Sequence, residues 1–322
     1  MEMHSYDGIK RVLLKLENSI NNGYYYEAHQ IYRTLYFRYL GQKKYLELIQ
    51  LLYSGSLRLL QCGQHTSGAD LGILLIDVLK KSEIEPSQTY FQKIVDLFSL
   101  MTPSSPERQT FVQKAVRWST IGSIFKTGHP NFHQKLAQVY WHEKNYTSAR
   151  QHFLYTKDGS GCALMLIELH QQQGYSNEMD LFITQTVLQY LCLKNKSTAD
   201  EAFKSFINKH PKIKGGPPFL LPLLNFSFFL LKTIESSIIF SGQVTIFTIL
   251  CEQYLSSLTK DPSFLQYIDK IGQLFFNIQP RQNSNRGLLN SFLQSFFDGL
   301  EDENNENRTM NTLTSHLISD FD

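Results

Sequence analysis

The chain has no long uninterrupted apolar run, few cysteines and none of the short motifs that carry common enzyme chemistry. Each absence excludes something. A membrane-spanning helix needs about twenty apolar residues. The greasiest stretch, Phe219 to Leu231, is thirteen residues long, ten of them Leu or Phe. Pro222 and Asn225 interrupt it and Lys232 closes it, so it reads as a buried core helix. Cys62, Cys162, Cys192 and Cys251 stand singly in apolar contexts, with no C-x-x-C pair. Buried, reduced thiols are therefore expected. The first twenty residues hold Lys10, Arg11 and Glu17 and no apolar block, so no secretory leader is expected. The plain reading is a cytosolic protein, in which the N-x-S/T triplets at Asn145, Asn195, Asn225 and Asn307 mean nothing. No Walker loop, G-x-S-x-G or H-E-x-x-H occurs. "DGSG" at 158–161 lacks the lysine of a phosphate loop and reads as a turn between helices.

The net charge is only +2. From Arg281 onward there are three basic and seven acidic residues, so the tail carries −4 and the rest +6. A mildly basic body with an acidic tail is not the dense Lys/Arg face of a nucleic-acid binder. It fits a protein partner that is acidic in places. The polar stretch from 281 to 322 has one amphipathic piece, Leu288 to Phe297, and its last twenty or so residues are expected to be disordered.

Apolar residues recur at helical spacing almost throughout, as in Leu71, Leu74, Leu75 and Val78. Val/Ile/Thr alternation is scarce, so no strands are expected beyond one short β-hairpin near 211–219. Breaks fall at Gly23, Gly41, Gly63–Gly68, Pro86, Pro103–Pro106, Gly128–Pro130, Asp158–Gly161, Gly174, Pro211–Pro218, Pro262 and Pro280. They predict an all-α chain of about fourteen helices, either a plain irregular helical bundle or stacked antiparallel hairpins. A weak repeat supports stacking: Tyr25-x-x-Ala28-x-x-x-Tyr32 matches Tyr146-x-x-Ala149-x-x-x-Phe153, and Tyr45, Leu48 and Leu52 follow more loosely. Aromatic, small and aromatic on one face is the logic of tetratricopeptide hairpins. The copies keep no fixed period, so the expected α-solenoid is irregular.

Candidate chemistry is thin. His129 and His133 in "GHPNFH" are four apart, with His142 and His152 following. Pro130 places His129 at a helix cap, and no acidic or Cys ligand accompanies the pair, so surface histidines are the plainer reading. Asp70 in "SGAD" reads as a carboxylate at a helix start, or as an anion for a partner's Lys or Arg. Basic and aromatic residues mix on the first hairpins, a mixture that suits a protein interface.

Six stretches, in order across residues 9–278, resemble the Golgi-to-ER traffic protein 4 family: "YYYEAHQIYRTLYFRYL", "LIQLLYSGSLRLL", "SGADLGILLIDVL", "GHPNFHQKLAQVYW", "YTSARQHFL" and "GGPPFLLPLLNFSFFLL". The resemblance implies a helical-repeat subunit, without enzyme activity or cofactor, of the cytosolic complex that hands tail-anchored membrane proteins to a targeting ATPase. It implies an ATPase-docking half over 1–155, a partner-binding half over 156–280 and an acidic tail over 281–322. The docking residues it suggests are Lys10, Arg11, Lys15, Tyr25, Arg33, Tyr36, Arg38 and Asp70. Its C-terminal partner is a small ubiquitin-like protein in fungi and a ubiquitin-like scaffold chaperone in animals, whose nuclear import signal it covers. Fungal members carry a longer insertion where this chain has only "HPKIKGGPP", so the animal type and its scaffold are expected. The partner groove is expected to include Lys212, Lys214, Pro217, Phe219, Leu223, Phe226 and Phe229. Direct membrane insertion and nucleic-acid binding are not implied. The competing reading is a chaperone-like binder that holds greasy clients on residues 219–231.

Overall fold

The computed structural model describes residues 2–175, 177–235 and 242–278, with the backbone alone for 2–8. The acidic tail lies outside the described residues. Fifteen helices and no strand occur among the described residues. They are α1 (Glu2–Asn21), α2 (Tyr25–Gly41), α3 (Tyr45–Gln61), α4 (His65–Lys81), α5 (Gln88–Leu100), α6 (Pro106–Trp118), α7 (Pro130–His142) and α8 (Tyr146–Phe153). α9 (Gly159–Gln173), α10 (Met179–Cys192), α11 (Lys196–Lys209), α12 (Pro222–Glu235), α13 (Gln243–Gln253), α14 (Leu255–Leu258) and α15 (Pro262–Phe276) complete the order. No helix among the described residues is long and apolar enough to cross a membrane.

One turn, used repeatedly, makes the hairpins. After α1 the amide of Gly23 donates to Ile20 O and that of Tyr24 to Ser19 O, with Gly23 left-handed at φ 79°. These two bonds satisfy helix-end carbonyls and reverse the chain, so α2 starts one residue later. Gly63 (φ 74°) repeats the turn after α3. Lys43, Glu83, Lys144 and Lys194 take the same place after α2, α4, α7 and α10, with φ between 54° and 60°. Glycine is the residue that adopts this conformation freely. The turns are therefore set by helix packing as much as by local sequence. At five starts a side-chain oxygen caps the helix: Ser105 on Arg108 N, Asn145 on Ser148 N, Asp158 on Gly161 N, Asn195 on Thr198 N and Asp261 on Ser263 N.

Helices pack on their neighbours and on the next but one, as α3 on α4, α4 on α6, α5 on α7, α9 on α11 and α10 on α12. That is solenoid stacking. The repeated motif lies inward: Ala28, Leu48, Leu52, Ala149 and Phe153 are fully buried and Tyr32 nearly so. Tyr32 lies over Gly55 of α3, where an added Cβ would meet its ring at 2.5 Å. Two apolar cores result. One runs from Leu16 to Leu136, the other from Ala137 to Phe276, and α7 carries the junction. Tyr140 touches both. Arg108 of α6, 2% exposed, lies over Phe98 at 3.9 Å and forms a two-pronged pair with Glu143 just past α7.

Several expectations need correction. The stretch 211–219 forms no hairpin; it is a loop with cis bonds at Gly216–Pro217 and Pro217–Pro218. Short of strand partners, its Gly- and Pro-rich sequence turns instead. Cys62 is exposed because it caps the end of α3; of the four thiols only Cys162 is fully buried. His133 and His152 are not surface residues. They are 0% and 7% exposed and share an Nδ1–Nδ1 hydrogen bond of 2.8 Å, since α7 and α8 fold onto each other.

Candidate docking surfaces

α2 buries Ala28, Ile31, Tyr32 and Leu35 along one stripe. Helical spacing then turns Tyr26 and Phe37 outward, 78% and 63% exposed. Tyr24, before the helix, is also exposed. On α1, Lys10, Arg11 and Lys15 are exposed, and Lys15 Nζ sits 2.7 Å from Glu27. Tyr25, Tyr36 and Arg38 are half-buried. Burial pushes the Tyr36 hydroxyl above its ordinary range.

Asp70 is not a helix-start carboxylate. It stands in the second turn of α4, facing α2. Arg33 Nη1 donates to both its oxygens at 3.0 and 3.1 Å, and His29 Nε2 lies 2.7 Å from Oδ2. The hydrogen bond from His29, with the Arg33 charge, outweighs burial and holds the carboxyl below its usual range. The structure thus joins two residues that the sequence treated separately. Arg33 and Asp70 clamp α2 to α4, with 41% and 31% of their side chains still open to solvent. His29 was missed by the sequence reading. Its signal was the His29/Arg33 spacing of four on α2, which puts both over the same neighbour.

At the other end, Pro222 opens α12. Asn225 accepts from Phe219 N and donates to Phe219 O, both at 2.7 Å, closing the loop onto the helix. Phe219 packs edge-on against Phe203 and Phe228. Leu223 and Phe226 are 0% exposed, so neither offers surface to a partner. They sit on the face of α12 that faces the core, and the same face buries Leu224, Leu230 and Leu231. Most of the greasy segment is therefore this chain's own core rather than a client groove. The accessible expected residues are Lys212, Lys214, Pro217 and Phe229, beside Leu220 at 98% exposure, which the sequence reading did not single out.

The histidines serve the fold. His129 caps α7, its Nδ1 accepting from Asn131 N at 3.2 Å. His133 Nε2 donates to Thr127 O at 2.9 Å, which leaves Nδ1 as acceptor for His152. Burial holds His133 down to about 4 and His152 well below its ordinary value. A second buried pair joins His170 and His210 at 3.0 Å. Among the described residues no three His, Cys, Asp or Glu side chains converge as metal ligands.

The family model of Golgi to ER traffic protein 4 matches residues 42–297. The Golgi to ER traffic protein 4 homolog of Homo sapiens is 48% identical over 300 residues, covering 93% of this chain and 90% of its own. That of Oryzias latipes is 49% identical over 297 residues, covering 92% and 90%. The crystal structure of C. therm. Get4 aligns with a TM-score of 0.75 at 25% identity, over 95% of this chain and 99% of that one. With a family match over most of its length and near-half identity to relatives almost end to end, this chain belongs to the Golgi to ER traffic protein 4 family.

Proposed function

We propose that the chain is a non-enzymatic adaptor in the cytosolic delivery of tail-anchored membrane proteins to the endoplasmic reticulum. Its first hairpins dock a targeting ATPase. Its C-terminal half binds a ubiquitin-like-domain scaffold chaperone and covers that partner's nuclear import signal. The observation that carries this reading is the near end-to-end family match at about half identity. The exposed cations of α1 beside the exposed rings of α2 support the first surface, since Arg and Tyr are favoured at interfaces. Lys212, Lys214, Pro217, Leu220 and Phe229 supply the second. The division between the two roles falls best within α7, where the cores meet. A cut after residue 155 would strip α8 from the core that holds Tyr146, Ala149 and Phe153.

The test uses the full chain. Lys10→Glu with Arg11→Glu is expected to weaken ATPase binding roughly tenfold or more and flatten its salt dependence. Scaffold binding and melting temperature should not move. Arg33 is a poorer first choice, because reversing it also breaks the Asp70 clamp. Unchanged ATPase affinity in the α1 variant would remove ATPase docking from this face.

A further inference from the structure

A cavity of about 510 Å³ opens between α8, α9 and α10. Two cations line it, Lys144 and Arg150, and no acidic side chain among the described residues does. The amides of Gln151, Gln173 and Gln189 and the apolar Leu154 form much of the remaining wall.

The two cations differ in what they meet. Lys144 Nζ is spent on Glu168, whose carboxylate also accepts from Trp141 Nε1 at 3.0 Å and from the Tyr146 hydroxyl at 2.7 Å. Those bonds, that of Lys144 first, hold the Glu168 carboxyl below its ordinary range. Arg150 has no such partner. Among the described residues its guanidinium makes one hydrogen bond, from Nη2 to Gln189 Oε1 at 3.0 Å. Four of its five N–H groups are left over. Asp261 acts on it through charge alone, since that carboxylate caps Ser263 N at 2.9 Å. Withdrawal from water lowers the pKa of Arg150, as it does for a cation without a carboxylate in contact. Arg108 gives the contrast within the same fold, because it holds Glu143 in two bonds. The geometry around Arg150 is also fixed. Gln189 Nε2 donates to the Tyr267 hydroxyl of α15 at 3.1 Å, so the amide that holds one arm of Arg150 is itself held from behind.

A cleft with an uncompensated positive charge draws anions. A guanidinium fork matches a carboxylate in two parallel bonds. The volume falls among those that hold a sizeable organic group, on the order of 300–1,000 Å³, and far exceeds one small ion. The side chains of Gln151 and Gln173 make no hydrogen bond among the described residues, and each offers both a donor and an acceptor to a peptide backbone.

We propose that this cavity recognises an acidic peptide segment of a partner protein, one Asp or Glu carboxylate pairing with Arg150 while the flanking backbone meets Gln151 and Gln173. The site uses none of the residues given above to the two docking surfaces, and it does not depend on those partner assignments.

The test is a selection with the full chain against two libraries of nine-residue peptides. Both have the same randomised flanks, and the central residue is glutamate in one and glutamine in the other. Peptides centred on glutamate are expected to be retained, and changing that glutamate to glutamine should weaken each roughly tenfold or more. Arg150→Gln should erase the difference. In case that variant unfolds, Gln173→Glu alters an exposed position and brings a carboxylate to the cavity. It should weaken the same peptides by a similar factor at an unchanged melting temperature. Failure to retain glutamate peptides overturns the proposal, as does equal retention by the Arg150→Gln chain. Full displacement by free glutamate at the peptide's own concentration also overturns it, since the flanking backbone would then contribute nothing.

Discussion

Acidification should weaken this protein through its buried histidines, and the share of one of them, His133, can be isolated. His133 is wholly buried at the junction of the two cores, bonded to Thr127 O and to His152. Its pKa is about 4 when folded, against an ordinary 6.5. The unfolded chain therefore takes up a proton first as pH falls. Stability should be constant above about pH 7, decline from there to about pH 4, and flatten below. At pH 5 the unfolded histidine lies 1.5 units above the medium, from 6.5 minus 5, while the folded one is still neutral. At about 1.36 kcal/mol per unit this is a loss of about 2 kcal/mol. His152 is shifted the same way and also charges in the unfolded chain, so about 2 is a lower figure for the pair. Asp180, whose carboxyl burial raises, works in the opposite direction at acid pH. The measurement is therefore a difference: urea midpoints at pH 7.5 and 5.0 for the chain and for His133→Asn. The unaltered chain should lose about 2 kcal/mol more than the variant over that interval. Equal losses would show that His133 is charged or solvated when folded, and the reasoning would fail.

Other outcomes follow from local geometry. Lys43→Gly and Lys194→Gly should each raise stability by about 0.5–1 kcal/mol by thermal melting, since both lysines hold left-handed turns. Gly159→Ala should destabilise by about 1–3 kcal/mol, because its Cβ would meet Thr198 O at 2.5 Å and Ala202 N at 2.7 Å in the backbone of α11. Glu143→Gln should lose about 3 kcal/mol in urea unfolding, leaving the buried Arg108 charge without its carboxylate. Asp70→Asn should loosen α2 from α4, read as faster amide exchange in both helices, with a smaller effect only at pH below the ordinary carboxylate range, because His29 and Arg33 hold the folded carboxyl low.

Helix content and break points were legible, because Gly and Pro punctuate a three-and-four apolar period. Gly23, Gly63, Pro86, Pro130 and Pro262 all lie at helix ends. The turns at Lys43, Glu83, Lys144 and Lys194 were not legible, since nothing local in a lysine or a glutamate favours φ near 55°; helix packing imposes it. Nor was the burial of Leu223 and Phe226, as a run rich in Leu and Phe does not say which face meets the core. His29, Arg33 and Asp70 lie up to forty-one positions apart, and only the stacking of α2 on α4 gives them a common address. The histidines misled for a related reason. A four-residue spacing suggests a shared surface ligand, but the partner of His133 is His152 on the next helix, and each ring satisfies the other's need for a hydrogen bond inside the core.

That pairing at α2 and α4 bears on how a docking face there would act. Arg33 and Asp70 hold opposite charges about 3 Å apart, as do Lys15 and Glu27. At a Debye length of about 8 Å such pairs nearly cancel, so they attract nothing from afar. Long-range pull on an acidic partner then falls to Arg11 on α1 and to Lys43 and Lys44 beyond α2, which are exposed. Reversing those should slow association and change its salt dependence. Arg33, Asp70 and the exposed rings of Tyr26 and Phe37 act only at contact, so altering them should speed dissociation and leave association nearly unchanged. A partner that docks here meets a recruiting rim on α1 and a fitted, nearly neutral centre on α2. Binding kinetics separate the two, and affinity alone does not.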